Sequence, residues 1–117
     1  MGCDLARSEE FQELKKHFTK KVNQLDSEMQ LEHGPIFSRL TERKLKLIGE
    51  TMGTIDRNPN MTMYELSYLV EDRIDSEEIE LANSKTFEEK EIIYHNISAL
   101  ECISYLVRKV RLKYRHC

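Results

Sequence analysis

The side chains that could bind a metal are spaced too widely to form a zinc site. They are His17, His33, His95, His116, Cys3, Cys102 and Cys117. Structural zinc is held by four ligands that come in closely spaced pairs. His95 and Cys102 are seven residues apart, or about two helical turns, and the His116–Cys117 pair has no second pair to join. We therefore predict that the chain has no metal site.

Residues 56–61 resemble the opening of an EF-hand calcium loop, but the loop lacks two essential residues. Such a loop needs Gly at its sixth position for a sharp turn and a bidentate Glu at its twelfth. Here Met61 is sixth and Ser67 is twelfth. We expect no calcium binding.

No pattern of nucleophile and base indicates catalysis. A catalytic Ser or Cys needs a neighbouring base that a third group orients. The sequence has no Gly-rich nucleophile elbow, no phosphate loop and no paired carboxylates in an apolar setting. We expect a protein that is not an enzyme and that uses no cofactor. An active site assembled in three dimensions from distant residues is the alternative.

The uneven distribution of charged residues along the chain is the most informative feature of the sequence. Residues 62–101 hold eleven acidic residues against Arg73, Lys85 and Lys90, while the last ten residues are basic. We define an acidic patch of Asp72, Asp75, Glu77, Glu78 and Glu80. We define a basic patch of Arg108, Lys109, Arg111, Lys113 and Arg115.

Three interpretations fit these patches: contact with a partner protein or a second copy, plain solvation, or binding of nucleic acid by the basic patch. Phosphate backbones attract such a helix end, but the helix macrodipole also favours cations there without any ligand. The net charge of −3 opposes non-specific DNA binding. A helix-turn-helix starting at Thr62 would have Asp72–Glu80 as its recognition helix, and DNA would repel that acidic helix. The sequence therefore favours a protein contact.

These patches must be positioned by helices, because apolar residues recur every three or four positions throughout the chain. Ser8 is expected to cap a first helix that Gly34-Pro35 ends, and Pro35 suits the start of the next. Thr62 with Glu65 and Thr86 with Glu89 form capping boxes, and Ser76 marks a possible restart. The apolar stripes are Phe11, Leu14, Phe18, Val22, Leu25 and Met29; Phe37, Leu40, Leu47 or Ile48, Met52 and Ile55; Met63, Leu66, Leu69, Val70 and Ile74; and Ile93, Ile97, Leu100, Ile103, Val107, Val110 and Tyr114.

We predict a single all-α domain over residues 1–117, built as a four- to five-helix bundle with long first and last helices. Unmatched helix lengths leave surplus apolar stripe at the ends, and a second copy would cover it, so we predict a homodimer. The odd number of cysteines and the absence of a signal peptide or an apolar run of about 20 residues favour a cytoplasmic protein with no membrane contact.

Part of the sequence resembles a known family. The pattern comprises Ile48-Gly49-Glu50, Met52, Ile55, Asn60-Met61-Thr62, Leu66, Leu69, Val70, an acidic loop and Ala99-Leu100. It is similar to the small enterobacterial biofilm-development and acid-resistance regulators described as two-component connector proteins. The resemblance implies an all-helical, dimeric protein that adjusts response-regulator signalling by direct contact.

We therefore predict a small non-enzymatic regulatory or adaptor protein that acts by helix-mediated binding to another protein. The alternative is a nucleic-acid-binding transcriptional regulator that uses the basic end of the last helix.

Overall fold

Four α-helices make up nearly all of the described chain. The structure, a computed structural model, describes residues 2–31 and 35–114, with side chains described for residues 9–31 and 38–114. The helices are α1 (Gly2–Met29), α2 (Pro35–Arg57), α3 (Met63–Asn83) and α4 (Phe87–Lys113). They pack together, and α4 contacts each of the other three. The predicted all-α class is confirmed, and none of the described helices is long and apolar enough to cross a membrane.

Two predicted helix starts are wrong. The backbone is already helical at Gly2, so Ser8 lies inside α1. Likewise α3 runs without a break through Ser76 to Asn83, which leaves four helices in the described ranges and no fifth. A cap is worth about 1 kcal/mol, and neither segment contains a Pro or a further Gly to break the hydrogen bonds of the surrounding helix. Gly34, the expected end of the first helix, lies outside the described residues.

Both later caps are confirmed at their threonines. The N–H of Glu65 donates to Thr62 Oγ1 at 3.0 Å, and the N–H of Glu89 donates to Thr86 Oγ1 at 3.1 Å. The return bond of the expected box, from the N–H of the threonine to the Glu carboxylate, is not seen in either of these two caps, and Glu89 Oε2 accepts instead from the N–H of Lys85 at 3.1 Å. Each threonine satisfies an amide that the first helical turn would leave unpaired.

The predicted apolar stripes meet in one core around α4. Its buried residues are Phe11, Leu14, Phe18, Leu25, Leu47, Ile48, Ile55, Met61, Met63, Leu66, Val70, Ala99, Leu100, Ile103, Leu106, Val107 and Val110. Leu69 is exposed, contrary to the prediction. Leu69 points about 100° away from Val70 around the axis, beyond the face of α3 on which Met63, Leu66 and Val70 are buried. In α2 the buried position beside Leu40 belongs to Thr41, and the side chain of Phe37 lies outside the described residues.

Candidate interaction surface

The acidic patch lies along α3 and is mostly exposed. Asp72, Asp75, Glu78 and Glu80 face solvent. Glu77 is half-buried, and Asn96 Nδ2 of α4 lies 3.4 Å from each of its carboxylate oxygens. One member of the patch therefore helps to join α3 to α4, and the other four are accessible to a partner.

The basic patch is divided between exposed residues and residues bonded within the chain. Arg108 and Lys109 are exposed. Arg111 Nη1 donates to Ser67 Oγ at 2.9 Å, and Lys113 Nζ contacts Glu13 Oε1 at 2.5 Å. Arg115 lies outside the described residues. The patch is thus less available to an external phosphate backbone than the sequence suggests.

The contact between Lys113 and Glu13 joins the end of α4 to α1. The hydrogen bond from Lys113, with smaller contributions from neighbouring cations, holds the pKa of the Glu13 carboxyl below its usual value. Reciprocally, the hydrogen bond and charge of Glu13 raise the pKa of Lys113. Both shifts favour the charged forms, so this ion pair is present at neutral pH.

One residue of the acidic patch and one of the basic patch line the same groove between α3 and α4. Antiparallel packing places the end of α4 beside the first half of α3, which brings Asp75 and Arg108 to the same groove. Its volume is about 450 Å³, and its lining residues are Glu71, Ile74, Asp75, Glu101, Ser104, Tyr105 and Arg108. Three carboxylates and one guanidinium make the groove acidic on balance. From the sequence the two patches were expected to be separate surfaces, whereas the fold places Asp75 and Arg108 in one groove.

A tyrosine pair lies in the first two turns of α3. The rings of Tyr64 and Tyr68 are 5.2 Å apart in an edge-to-face arrangement, and the Arg111 guanidinium lies 5.2 Å from the centre of the Tyr64 ring. A hydrogen bond with Tyr64 is the largest cause of the raised pKa of Tyr68, to which Glu71 and Asp72 add negative charge. Both rings are exposed. Edge-to-face pairing holds them in place as a preformed aromatic contact.

Exposed apolar side chains are concentrated on α3 and α4. Apart from Leu31, the large exposed ones among the described residues are Tyr64, Tyr68, Leu69, Ile79, Phe87, Ile92, Tyr94, Tyr105 and Leu112. None of them was predicted to be a site residue from the sequence. The spacing of Tyr64 and Tyr68, four residues apart, could have predicted an exposed tyrosine pair on one face of α3. The recurrence of large apolar residues at Phe87, Tyr94, Tyr105 and Leu112 could likewise have predicted a second stripe on α4. Exposed aromatic residues are enriched at protein interfaces.

A second charged surface, also missed from the sequence, lies between α2 and α4. A groove of about 200 Å³ is lined by Arg39, Glu42, Arg43, Lys46, Ile92 and His95. Arg39 pairs with Glu91 at 3.5 Å. The charges of residues 1–61 sum to zero. The net charge of this segment therefore gives no sign of the local excess of basic residues on α2. Their i, i+4, i+7 spacing places them on one face of α2.

Among the described residues there is no group of three or more His, Cys, Asp or Glu side chains that could hold a metal ion. Comparison with known proteins adds no relative: no protein-family model, no curated protein and no solved structure matches the chain. The resemblance to connector proteins therefore stays a prediction based on the residues that carry it.

Proposed function

We propose that this chain is a small non-enzymatic regulatory or adaptor protein that binds another protein through the outer surface of α3 and its groove with α4. The observation that supports this most directly is the concentration of exposed aromatic and apolar side chains on these two helices. Protein interfaces are enriched in aromatic residues at their centres and are rimmed by polar groups.

The outer face of α3 combines anchoring and steering groups. Tyr64 and Tyr68 are exposed aromatic rings held against each other, and tyrosine is among the residues that carry most binding energy in interfaces. Asp72, Asp75 and Glu78 continue along the helix and are exposed. Carboxylates at this position would speed association with a basic partner and discriminate against acidic ones. The partner surface that fits is therefore basic with an apolar centre.

Nucleic-acid binding is the second candidate, supported by the exposure of Arg108 and Lys109 at the end of α4. Three features oppose it. Arg111 and Lys113 bond within the chain, carboxylates of α3 share the groove with Arg108, and the net charge is −3. Because non-specific affinity depends on the number of phosphates neutralised, two exposed cations supply little of it.

The test is capture and affinity measurement with matched charge variants. A protein captured in stoichiometric amount is purified, and its binding is measured by calorimetry to the wild type, Asp75→Lys, Tyr68→Ala and the control Glu42→Lys. Glu42 is an exposed carboxylate on α2. We expect at least tenfold weaker binding for the α3 variants and unchanged binding for the control. Equal affinities for all four proteins would contradict the proposal.

The nucleic-acid candidate is tested by fluorescence anisotropy with duplex and single-stranded DNA at low salt. We expect no binding. Binding that weakens steeply with salt, and that is lost when Arg108 and Lys109 are both changed to Ala, would favour the alternative function.

A further inference from the structure

Helix α4 carries a second apolar stripe on the side away from the core. It consists of Phe87, Tyr94, Tyr105 and Leu112, which are 76%, 59%, 66% and 58% exposed. A helical residue advances about 100° around the axis, so steps of 7, 11 and 7 residues return to within about 20° of one direction. Ile103, fully buried, points the opposite way. We call these four residues the outer stripe.

The charge of α4 changes sign along its length. The half from Phe87 to Glu101 contains Glu88, Glu89, Glu91 and Glu101 with Lys90 as its only Lys or Arg. Residues 102–113 contain Arg108, Lys109, Arg111 and Lys113 and no acidic residue. The helix is therefore acidic in its first half and basic in its second half. A parallel copy would place like halves together, whereas an antiparallel copy would place opposite halves together.

The outer stripe is also symmetric about its own centre. The midpoint between Phe87 and Leu112 falls between Ala99 and Leu100, and so does the midpoint between Tyr94 and Tyr105. In an antiparallel pair of α4 helices centred there, Phe87 faces Leu112 of the second copy and Tyr94 faces Tyr105 of the second copy. A single two-fold axis thus gives each of the four stripe residues an apolar partner in the second copy. Such an interface produces a dimer and does not continue to further chains.

We propose that the outer stripe of α4 is the docking site for a second copy of this chain, packed antiparallel about an axis between Ala99 and Leu100. This differs from the dimer expected from the sequence. That dimer was to cover the surplus of the main apolar stripes at the ends of the long helices, whereas the outer stripe is a separate set of exposed residues on α4. The inference does not rest on the proposed function: Tyr64 and Tyr68 of α3 lie outside the outer stripe, and only Tyr105 belongs both to the stripe and to the groove between α3 and α4.

The register has a specific electrostatic consequence at the axis. Glu101 is exposed and lies about 30° from the stripe direction, only one or two residues from the centre. The two copies of Glu101 therefore lie close together and repel each other. Removing this charge should tighten the dimer, an effect that an interface through α1 or α2 would not produce.

The experiment is sedimentation velocity of the full chain over a range of concentrations. We expect a dimer for the wild type, at least tenfold weaker self-association for the double variant Tyr94→Glu with Tyr105→Glu, and tighter association for Glu101→Gln. The matched control, Tyr64→Glu with Tyr68→Glu, should leave dimerisation unchanged. Circular dichroism checks that each variant is helical. A wild type that stays monomeric, or a control pair that weakens the dimer as much as the stripe pair, would overturn the proposal.

Orientation is measured by electron–electron double resonance on spin labels, with Cys3, Cys102 and Cys117 changed to Ser. Labels at Ser98 are separated by about 5 Å along the axis of an antiparallel pair, whereas labels at Lys90 are separated by about 28 Å. We expect a short distance for position 98 and a distance longer by about 20 Å for position 90. Equal distances at the two positions indicate a parallel pair and would overturn the antiparallel register.

Discussion

Nη1 of Arg111 donates a hydrogen bond of 2.9 Å to the hydroxyl oxygen of Ser67, from α4 to α3. Ser67 is only 8% exposed, and its pairing with a guanidinium satisfies a polar group that would otherwise be buried between two helices. A residue that the sequence assigned to an external contact is therefore part of the bundle. Its neighbour Arg108, one turn earlier, is exposed.

This difference predicts that one alanine substitution lowers the stability of the protein and that the other leaves it nearly unchanged. Arg111→Ala should lower the free energy of unfolding by about 1–2 kcal/mol, because it removes the hydrogen bond to Ser67 and the contact with the Tyr64 ring. Arg108→Ala should change it by less than about 0.5 kcal/mol. Urea denaturation followed by circular dichroism measures both. Equal losses would mean that the Arg111 contact contributes nothing specific.

The contact of Glu13 with Lys113 predicts a pH dependence of stability. The pKa of Glu13 is lowered by folding, so its contribution is present above the ordinary value of 4.5 and is lost as the pH falls through the lowered pKa. The pKa of Lys113 is raised, so the same contribution is present below 10.5 and is lost as the pH rises through the raised pKa. Glu13→Gln should therefore lower the Tm most between these limits.

The measurement is the difference in Tm between wild type and Glu13→Gln at a series of pH values, by differential scanning calorimetry. The difference should shrink in acid as Glu13 takes up its proton. Asp26→Asn, at an exposed position of α1, serves as the control. A difference that stays constant down to full protonation would show that the charge of Glu13 is not responsible.

The cap at Thr86 predicts that substitution by Ala lowers the stability of the protein and that substitution by Ser largely preserves it. Thr86 Oγ1 accepts from the N–H of Glu89 at 3.1 Å, and replacing such a cap by Ala costs about 1 kcal/mol. Thr86→Ala should therefore lower the free energy of unfolding by about this amount, while Thr86→Ser keeps the hydroxyl and most of the stability. If Ser and Ala destabilise equally, the hydroxyl is not what stabilises the start of α4.

Two phenylalanines in opposite environments test the core. Phe18 is fully buried and Phe87 is exposed. Phe18→Ala should cost about 3–5 kcal/mol through lost burial and a cavity. Phe87→Ala should cost less than about 0.5 kcal/mol when denaturation is followed at a concentration that keeps the chain monomeric. Similar costs for the two changes would contradict the packing of α1 against the core.

The elements that could be predicted from the sequence are those fixed by local chemistry. Thr62 and Thr86 are confirmed because a capping hydroxyl needs only the amide three residues ahead of it. The stripe from Ile93 to Val110 is confirmed because its period alone defines the buried face of α4. By contrast Ser8 and Ser76 have the same local preference, but each lies within a continuous helix.

The candidate surface could be predicted only in part, because it depends on packing between distant segments. The exposure of Asp75 and Arg108 was expected, but their meeting in one groove requires the antiparallel packing of α3 and α4. The pairing of Ser67 with Arg111 spans 44 positions of sequence. No local pattern distinguishes Arg111 from Arg108, so the division of the basic patch followed only from the fold.

The position of α4 at the centre of the bundle has a consequence during synthesis. The other three helices precede it in the chain and each packs against it. At about 5–20 residues per second, the 27 residues of α4 take about 1–5 s to be made. Until they emerge, Phe18, Leu47 and Leu66 have no α4 to cover them. The nascent chain therefore presents its apolar faces to the ribosome surface and to chaperones, and it completes its core in one late step.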